Sequence, residues 1–156
     1  MEIGKLKIIV KSVLFLFALF LILPSFAGGV GYIDYQKVFE NYQYAKTSMR
    51  EIQNKEAEIQ KYLDAKEAEF DKLETPVQKK KFQASVQAEM KTKEAAFNDL
   101  REKKEEAVYQ RIHAVTEKIR LVKGLDAVLD ARSVFSGGVD ITDTLIKTLN
   151  SGSAAK

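Results

Sequence analysis

The chain has 156 residues and a mass of 17.6 kDa, with 46% hydrophobic and 30% charged side chains, which fits one modest domain and excludes a large multidomain enzyme. It contains no Cys, no Trp and a single His, so a thiol nucleophile, a disulfide framework and a His/Cys zinc site are all excluded. The formal net charge of +3 sums two segments of different character.

The first segment is a leader. Lys5, Lys7 and Lys11 precede an apolar run from Val13 to Leu23, and Pro24, Ser25, Phe26 and Ala27 follow it. Basic start, short apolar centre and small residues two apart (Ser25, Ala27) form the pattern of a secretory signal peptide, with cleavage expected after Ala27. A spanning helix needs roughly 20 apolar residues, and this run is shorter. An uncleaved membrane anchor is the alternative. Removal of 27 residues leaves 129, carrying 22 basic and 21 acidic side chains, a net of +1. An exported chain without cysteine is compatible with a bacterial periplasm, and the lack of a Cys after Ala27 argues against a lipoprotein anchor.

The mature chain opens on Val30-Gly31-Tyr32-Ile33, a short run of strand formers, and Asp34 then stands where an N-cap would start a helix. From there to Gly124 the sequence contains no Gly, and its only Pro is Pro76. Such an interval reads as helix, and Pro76 places the turn between two long antiparallel helices near residues 75–77. Alternate steps of three and four residues from Tyr35 meet Val38, Tyr42, Ala45, Met49, Ile52, Glu56, Ile59, Leu63, Lys66, Phe70 and Leu73, and ten of these twelve positions are apolar. This is a coiled-coil seam, predicting one helix over residues 35–74 about 60 Å long.

The return helix carries two seams offset by a stutter, one through Val86, Met90, Phe97 and Leu100 and one through Val108, Ile112, Val115, Ile119 and Val122. Six consecutive charges, Arg101 to Glu106, separate them and predict a solvated face with i, i+4 pairs. After Gly124, two strands are expected at Leu125 to Leu129 and Ser133 to Phe135, then a turn at Ser136-Gly137-Gly138. Asp140 and Asp143 are placed to cap a final helix bearing Ile141, Leu145, Ile146 and Leu149, and residues 151–156 read as a flexible tail.

The fold class expected is therefore α+β, mainly α. A helical hairpin over residues 35–123 stands on a small β body made from both chain ends, residues 28–34 and 124–150. A few strand residues bury too little surface alone, so copies are expected to share a sheet or barrel. The residues expected at that assembly are Tyr32, Ile33, Val128, Leu129, Val134, Phe135, Ile141 and Leu145.

Val30-Gly31-Tyr32-Ile33-Asp34-Tyr35-Gln36-Lys37-Val38-Phe39 at one end resembles the periplasmic outer-membrane-protein chaperones of the Skp (OmpH) family. So do Gly124-Leu125-Asp126-Ala127-Val128-Leu129-Asp130, Phe135-Ser136-Gly137-Gly138 and Asp140-Ile141-Thr142-Asp143 at the other. The resemblance spans essentially the whole mature chain. It implies a homotrimer on a small intersubunit barrel, with three hairpins around a cavity that holds unfolded outer-membrane proteins, and no nucleotide or other cofactor. Many members are strongly basic and this mature chain is nearly neutral, so contact with membrane or lipopolysaccharide is expected to be weak at most.

Many weak apolar and charged contacts suit a holdase better than one pocket, because clients must be kept apart without being fixed in one conformation. The candidates for client contact are Phe70, Phe82, Met90 and Phe97, with Lys79, Lys80 and Lys81 near the turn. The competing role for the four apolar residues is to hold the hairpin together, and for the lysines to remain solvated. No catalytic site is expected. His113 stands alone on the return helix and the Gly137-Gly138 pair reads as a turn. Mixed charge behind an export signal also argues against a nucleic-acid partner. The competing function is a membrane-anchored structural coiled coil with no client.

Overall fold

A computed structural model describes residues 28–152; the expected leader, residues 1–27, and residues 153–156 of the expected tail lie outside them. The order is β1 (Gly29–Ile33), α1 (Tyr35–Asn41), α2 (Gln43–Phe70), α3 (Pro76–Val122), β2 (Leu125–Asp130), β3 (Val139–Asp140) and α4 (Thr142–Asn150). The architecture is α+β and mainly helical, with a long hairpin of α2 and α3.

The two chain ends meet in a three-stranded parallel sheet of order β2-β1-β3. Gly29 to Ile33 pair with Leu125 to Asp130, and Gly31 and Tyr32 pair on the other side with Val139 and Asp140. Parallel strands need a long crossover, and the whole hairpin supplies it between β1 and β2. At Gly31 the strands approach closely: a Cβ there would lie 2.7 Å from Leu125 Cδ1 and 3.4 Å from Val128 Cγ2, so a larger residue would require the Leu125 side chain to shift.

Asp34 ends β1 and starts α1, its carboxylate accepting from Lys37 N–H at 2.9 Å. Its own N–H donates to Thr142 Oγ1 at 3.0 Å, which ties the junction to α4. Ile33, Val38, Tyr42 and Ala45 then pack with Val108, Ile112, Val115, Ile119, Leu125, Ile141, Leu145 and Leu149 in one core.

Four expectations need correction. The first helix is broken at Tyr42, whose ψ of 117 is extended, so the apolar seam shifts: Ala45, Ser48 and Ile52 are buried and Met49 is exposed. The break is supported from far away. Asn150 Oδ1 accepts from Gln43 N–H and its amide donates to Asn41 C=O, both at 2.9 Å, which satisfies backbone groups the break has freed. Second, α2 ends at Phe70, four residues before Glu74, and Pro76 opens α3 behind a Thr75–Gln78 capping box.

Third, Ser133 to Phe135 is not a strand. The Asp130 carboxylate accepts from Arg132 N–H at 2.9 Å and holds the Arg132 guanidinium as well, which turns the chain into a 3-10 helix at Ala131–Ser133. The third strand instead follows Gly137 and Gly138, whose φ of 80 and 90 only glycine adopts without strain. Fourth, the base seam of α3 stops at Ile119, since Val122 is 87% exposed.

The charged run is solvated but not isolated. Lys103 pairs with Asp99 four residues back, and Lys104 reaches across the hairpin to Glu51. Near this level, Ser48 Oγ is buried with no hydrogen-bond partner among the described residues. An unsatisfied buried hydroxyl costs about 1–3 kcal/mol. Ser48→Ala is therefore expected to raise stability by about 1 kcal/mol, seen as a higher urea midpoint at unchanged slope; a lower midpoint would show that the hydroxyl has a partner after all.

Candidate functional site

Burial divides the hairpin. Toward the body, α2 and α3 bury Ala45, Ser48, Ile52, Val108, Ile112, Val115, Thr116 and Ile119. From residue 53 to residue 107 no side chain is fully buried. Two helices alone cannot enclose a side chain on every side, so the outer seam of Ile59, Leu63, Phe70, Phe82, Val86, Met90, Phe97 and Leu100 is only half-buried.

The structure brings together two of the four apolar candidates. Phe70 and Phe82 face each other across the hairpin, with centroids 6.2 Å apart and planes tilted by 45°. Met90 and Phe97 lie on the same helix as Phe82 but about 12 and about 22 Å further along it at 1.5 Å per residue. Phe97 is covered by its neighbour Arg101, 5.9 Å from the ring centroid.

The lysine run separates likewise. Lys79 lies 5.1 Å from the Phe70 centroid and is half-buried, whereas Lys80 and Lys81 are exposed. Beside Phe70 and Phe82 runs an open groove of about 420 Å³, lined by Leu63, Lys66, Glu67, Phe70, Phe82, Gln83, Val86 and Gln87.

A neighbouring cluster escaped the sequence reading. The Tyr62 hydroxyl donates to Glu89 Oε2 at 2.7 Å across the hairpin, while Lys93 and Lys66 lie 4.4 and 5.7 Å from its ring centroid. Lys66 is also 5.6 Å from the Phe82 centroid and pairs with Glu69 at 2.8 Å. Desolvation, then the Glu89 hydrogen bond, pushes the Tyr62 hydroxyl up to about 12. The same bond holds the Glu89 carboxyl below its usual range. The one available signal was the Tyr62/Lys66 spacing of four, but the partners on α3 depend on how the helices register.

The eight assembly candidates also divide. Ile33, Ile141 and Leu145 are enclosed in the chain's own core, and Val128 packs partly against it. Tyr32 and Val134 are half-buried. Leu129 is 42% exposed and Phe135 fully exposed, with Val30 and Val139 also open. The register places Val30 and Tyr32 of β1 beside Ala127 and Leu129 of β2, and among the described residues β2 and β3 each leave one edge without a partner strand.

His113 is exposed and stacks on Tyr109, with centroids 6.1 Å apart. Among the described residues no group of three or more His, Asp or Glu side chains is placed to hold a metal, and no helix is long and apolar enough to cross a membrane.

A long helical hairpin rooted in a small parallel sheet built from both chain ends defines the class of fold. The family model of OmpH-like outer membrane proteins matches residues 29–149, and the chain belongs to that family. Its fold is similar to the crystal structure of an OmpH-like protein from Caulobacter crescentus CB15, described as a candidate outer membrane chaperone. The TM-score is 0.57 at 14% identity, covering 80% of this chain and 85% of that one. No curated protein matches the chain.

Proposed function

We propose that this protein is an ATP-independent periplasmic holdase that keeps unfolded outer-membrane proteins soluble between helical tentacles. The observation that carries this reading is the division of burial along the hairpin. A well-packed body supports a projection whose outer part leaves apolar and aromatic side chains half-open over its whole length. Membership of the OmpH-like family supports the same reading.

A client barrel protein exposes alternating apolar strand faces and unpaired edges before it reaches its membrane, and both promote aggregation. Scattered half-open contacts bind such a chain weakly at many points, so it is retained while its conformation stays free. Several hairpins around one space would multiply those contacts. The open sheet edges and the exposed Leu129 and Phe135 supply a surface through which three copies assemble. The leader directs export and is removed after Ala27.

The test is light scattering of an urea-unfolded outer-membrane protein diluted into buffer without nucleotide. A stoichiometric amount of the assembled protein is expected to suppress most of the scattering. Unchanged scattering in the presence of excess protein would overturn the holdase reading.

A further inference from the structure

β1 is the centre of the sheet, yet its first residues have little to hold them. Gly28 and Gly29 carry no side chain to pack, and a strand that begins a chain frays unless something ties it down. Pairing this strand with β2 also closes the whole hairpin as one long loop, at an entropic cost.

The register marks one residue of β2 as different. Gly29 pairs with Leu125 and Val30 with Ala127, so Asp126 is an extra residue without a partner in β1, a bulge at the first step of the ladder. Aspartate is also a poor strand former. Asp126 is exposed and forms no salt bridge with any described residue. Its carboxylate lies directly against Gly28, where a Cβ would collide with the carboxylate carbon and both oxygens. The α3 cation that reaches this end of β2 is engaged elsewhere: Arg120 donates through Nε to Glu117 at 2.9 Å and through Nη1 to the Leu125 carbonyl at 3.0 Å.

An unpaired carboxylate against the Cα of the first mature residue calls for a cation at that place. Cleavage after Ala27 turns the Gly28 amide, which has one donor and no charge, into an ammonium with three donors, charged at neutral pH. The nitrogen is bonded to that same Cα, at about 1.46 Å. Once no residue precedes it, rotation about the Gly28 Cα–C bond carries it to the carboxylate, and glycine makes that rotation freely.

We propose that Asp126 receives the α-ammonium that removal of the leader creates at Gly28, and that this pair pins β1 to β2 in the processed chain alone. The proposal rests on the reading that the leader is removed after Ala27, and it gives that cleavage an effect on the folded body. In the precursor the same carboxylate faces an uncharged amide, so the central strand is held less firmly until processing is complete.

The mature protein is isolated after export and its N-terminus read by mass and sequencing; a chain beginning at Gly28 is expected. Its α-amine is then acetylated near neutral pH, where it is more reactive than the protonated lysines. Amide hydrogen exchange of Val30 to Ile33 is compared in the natural protein, the acetylated protein and Asp126→Asn. At low salt each change is expected to speed exchange about threefold, the size of an exposed ion pair, and acetylating the Asp126→Asn protein should add nothing. High salt should shrink both differences. In the unaltered protein, the Gly28 amine followed by nuclear magnetic resonance should titrate at higher pH when folded than in urea, and this difference should vanish in Asp126→Asn.

Additive effects of acetylation and Asp126→Asn overturn the proposal. Acetylation without effect overturns it too, and assigns Asp126 to a side-chain cation such as Lys123 at the end of α3. A folded amine that titrates where the unfolded one does overturns it whatever the variant does to folding. A retained leader, or a mature chain beginning elsewhere, overturns both the pair and cleavage after Ala27. A start at Gly28 without coupling to Asp126 defeats the pair alone and leaves the processing and the holdase reading in place.

Discussion

Leu145→Ala is expected to lower the stability of the body by about 3 kcal/mol, within the about 2–5 kcal/mol seen when a leucine is truncated in a close-packed core. Leu145 is fully enclosed, in one cluster with Val38, Val115 and Ile141. The expected loss is a large share of the about 5–15 kcal/mol that holds a typical domain folded. It also reaches beyond one cavity, because α4 carries Thr142, which accepts from Asp34 N–H, and Asn150, which bridges the break at Tyr42. Undocking α4 would remove partners from both ends of α1. Urea unfolding followed by far-ultraviolet circular dichroism measures this, with Val77→Ala as the comparison. Val77 is 65% exposed at the start of α3, and its truncation should stay within about 0.5 kcal/mol. A Leu145→Ala variant as stable as Val77→Ala would show that α4 is not part of the folding core.

The double variant Leu129→Asp, Phe135→Asp is expected to separate assembly from folding. Both side chains are exposed in the single chain, so charges there leave the core intact and the helical signal unchanged. If they pack between copies, each contributes about 1.5–3 kcal/mol by burial, and a buried unpaired carboxylate adds a further penalty. Assembly should weaken at least about a hundredfold, each 1.4 kcal/mol of that loss being about tenfold. Sedimentation velocity would then show an elongated trimer for the natural protein and a monomer for the variant. Val77→Asp, on the projection, should leave the trimer in place. An identical mass distribution for all three proteins would remove Leu129 and Phe135 from the assembly surface. Val128 makes a poorer test, since it packs against the core and a charge there would disturb folding as well.

The contrast between these two variants marks where reading apolar residues as one class stops being informative. Leu145 and Phe135 look alike in the sequence, each an apolar residue beside a turn or cap signal near the C-terminus, and sequence alone places both at the assembly surface. Their exposures are 0% and 106%. Burial depends on which element lies above a residue, and that is settled by the path of the whole chain. Ser133 to Phe135 likewise has the composition of a strand, but the Asp130 carboxylate captures the next turn of backbone and redirects the chain. At Tyr42 no Gly or Pro announces a break, because the partner that makes it tolerable lies more than a hundred residues away in Asn150.

By itself the sequence determined the hairpin. A breaker-free stretch between Gly31 and Gly124, one proline and a 3.5-residue apolar repeat are local properties of the backbone and of helix periodicity, and they act wherever the chain goes. The same local rules placed β1 and its Asp34 cap. Only the tertiary structure decided the parallel order β2-β1-β3, the third strand at Val139–Asp140, the division of apolar residues between core and surface, and the pairing of Phe70 and Tyr62 with residues of α3. Each of these joins positions far apart in the chain, so it follows from the register in which two long helices pack and from the sheet that closes their ends, neither of which any short stretch of residues encodes.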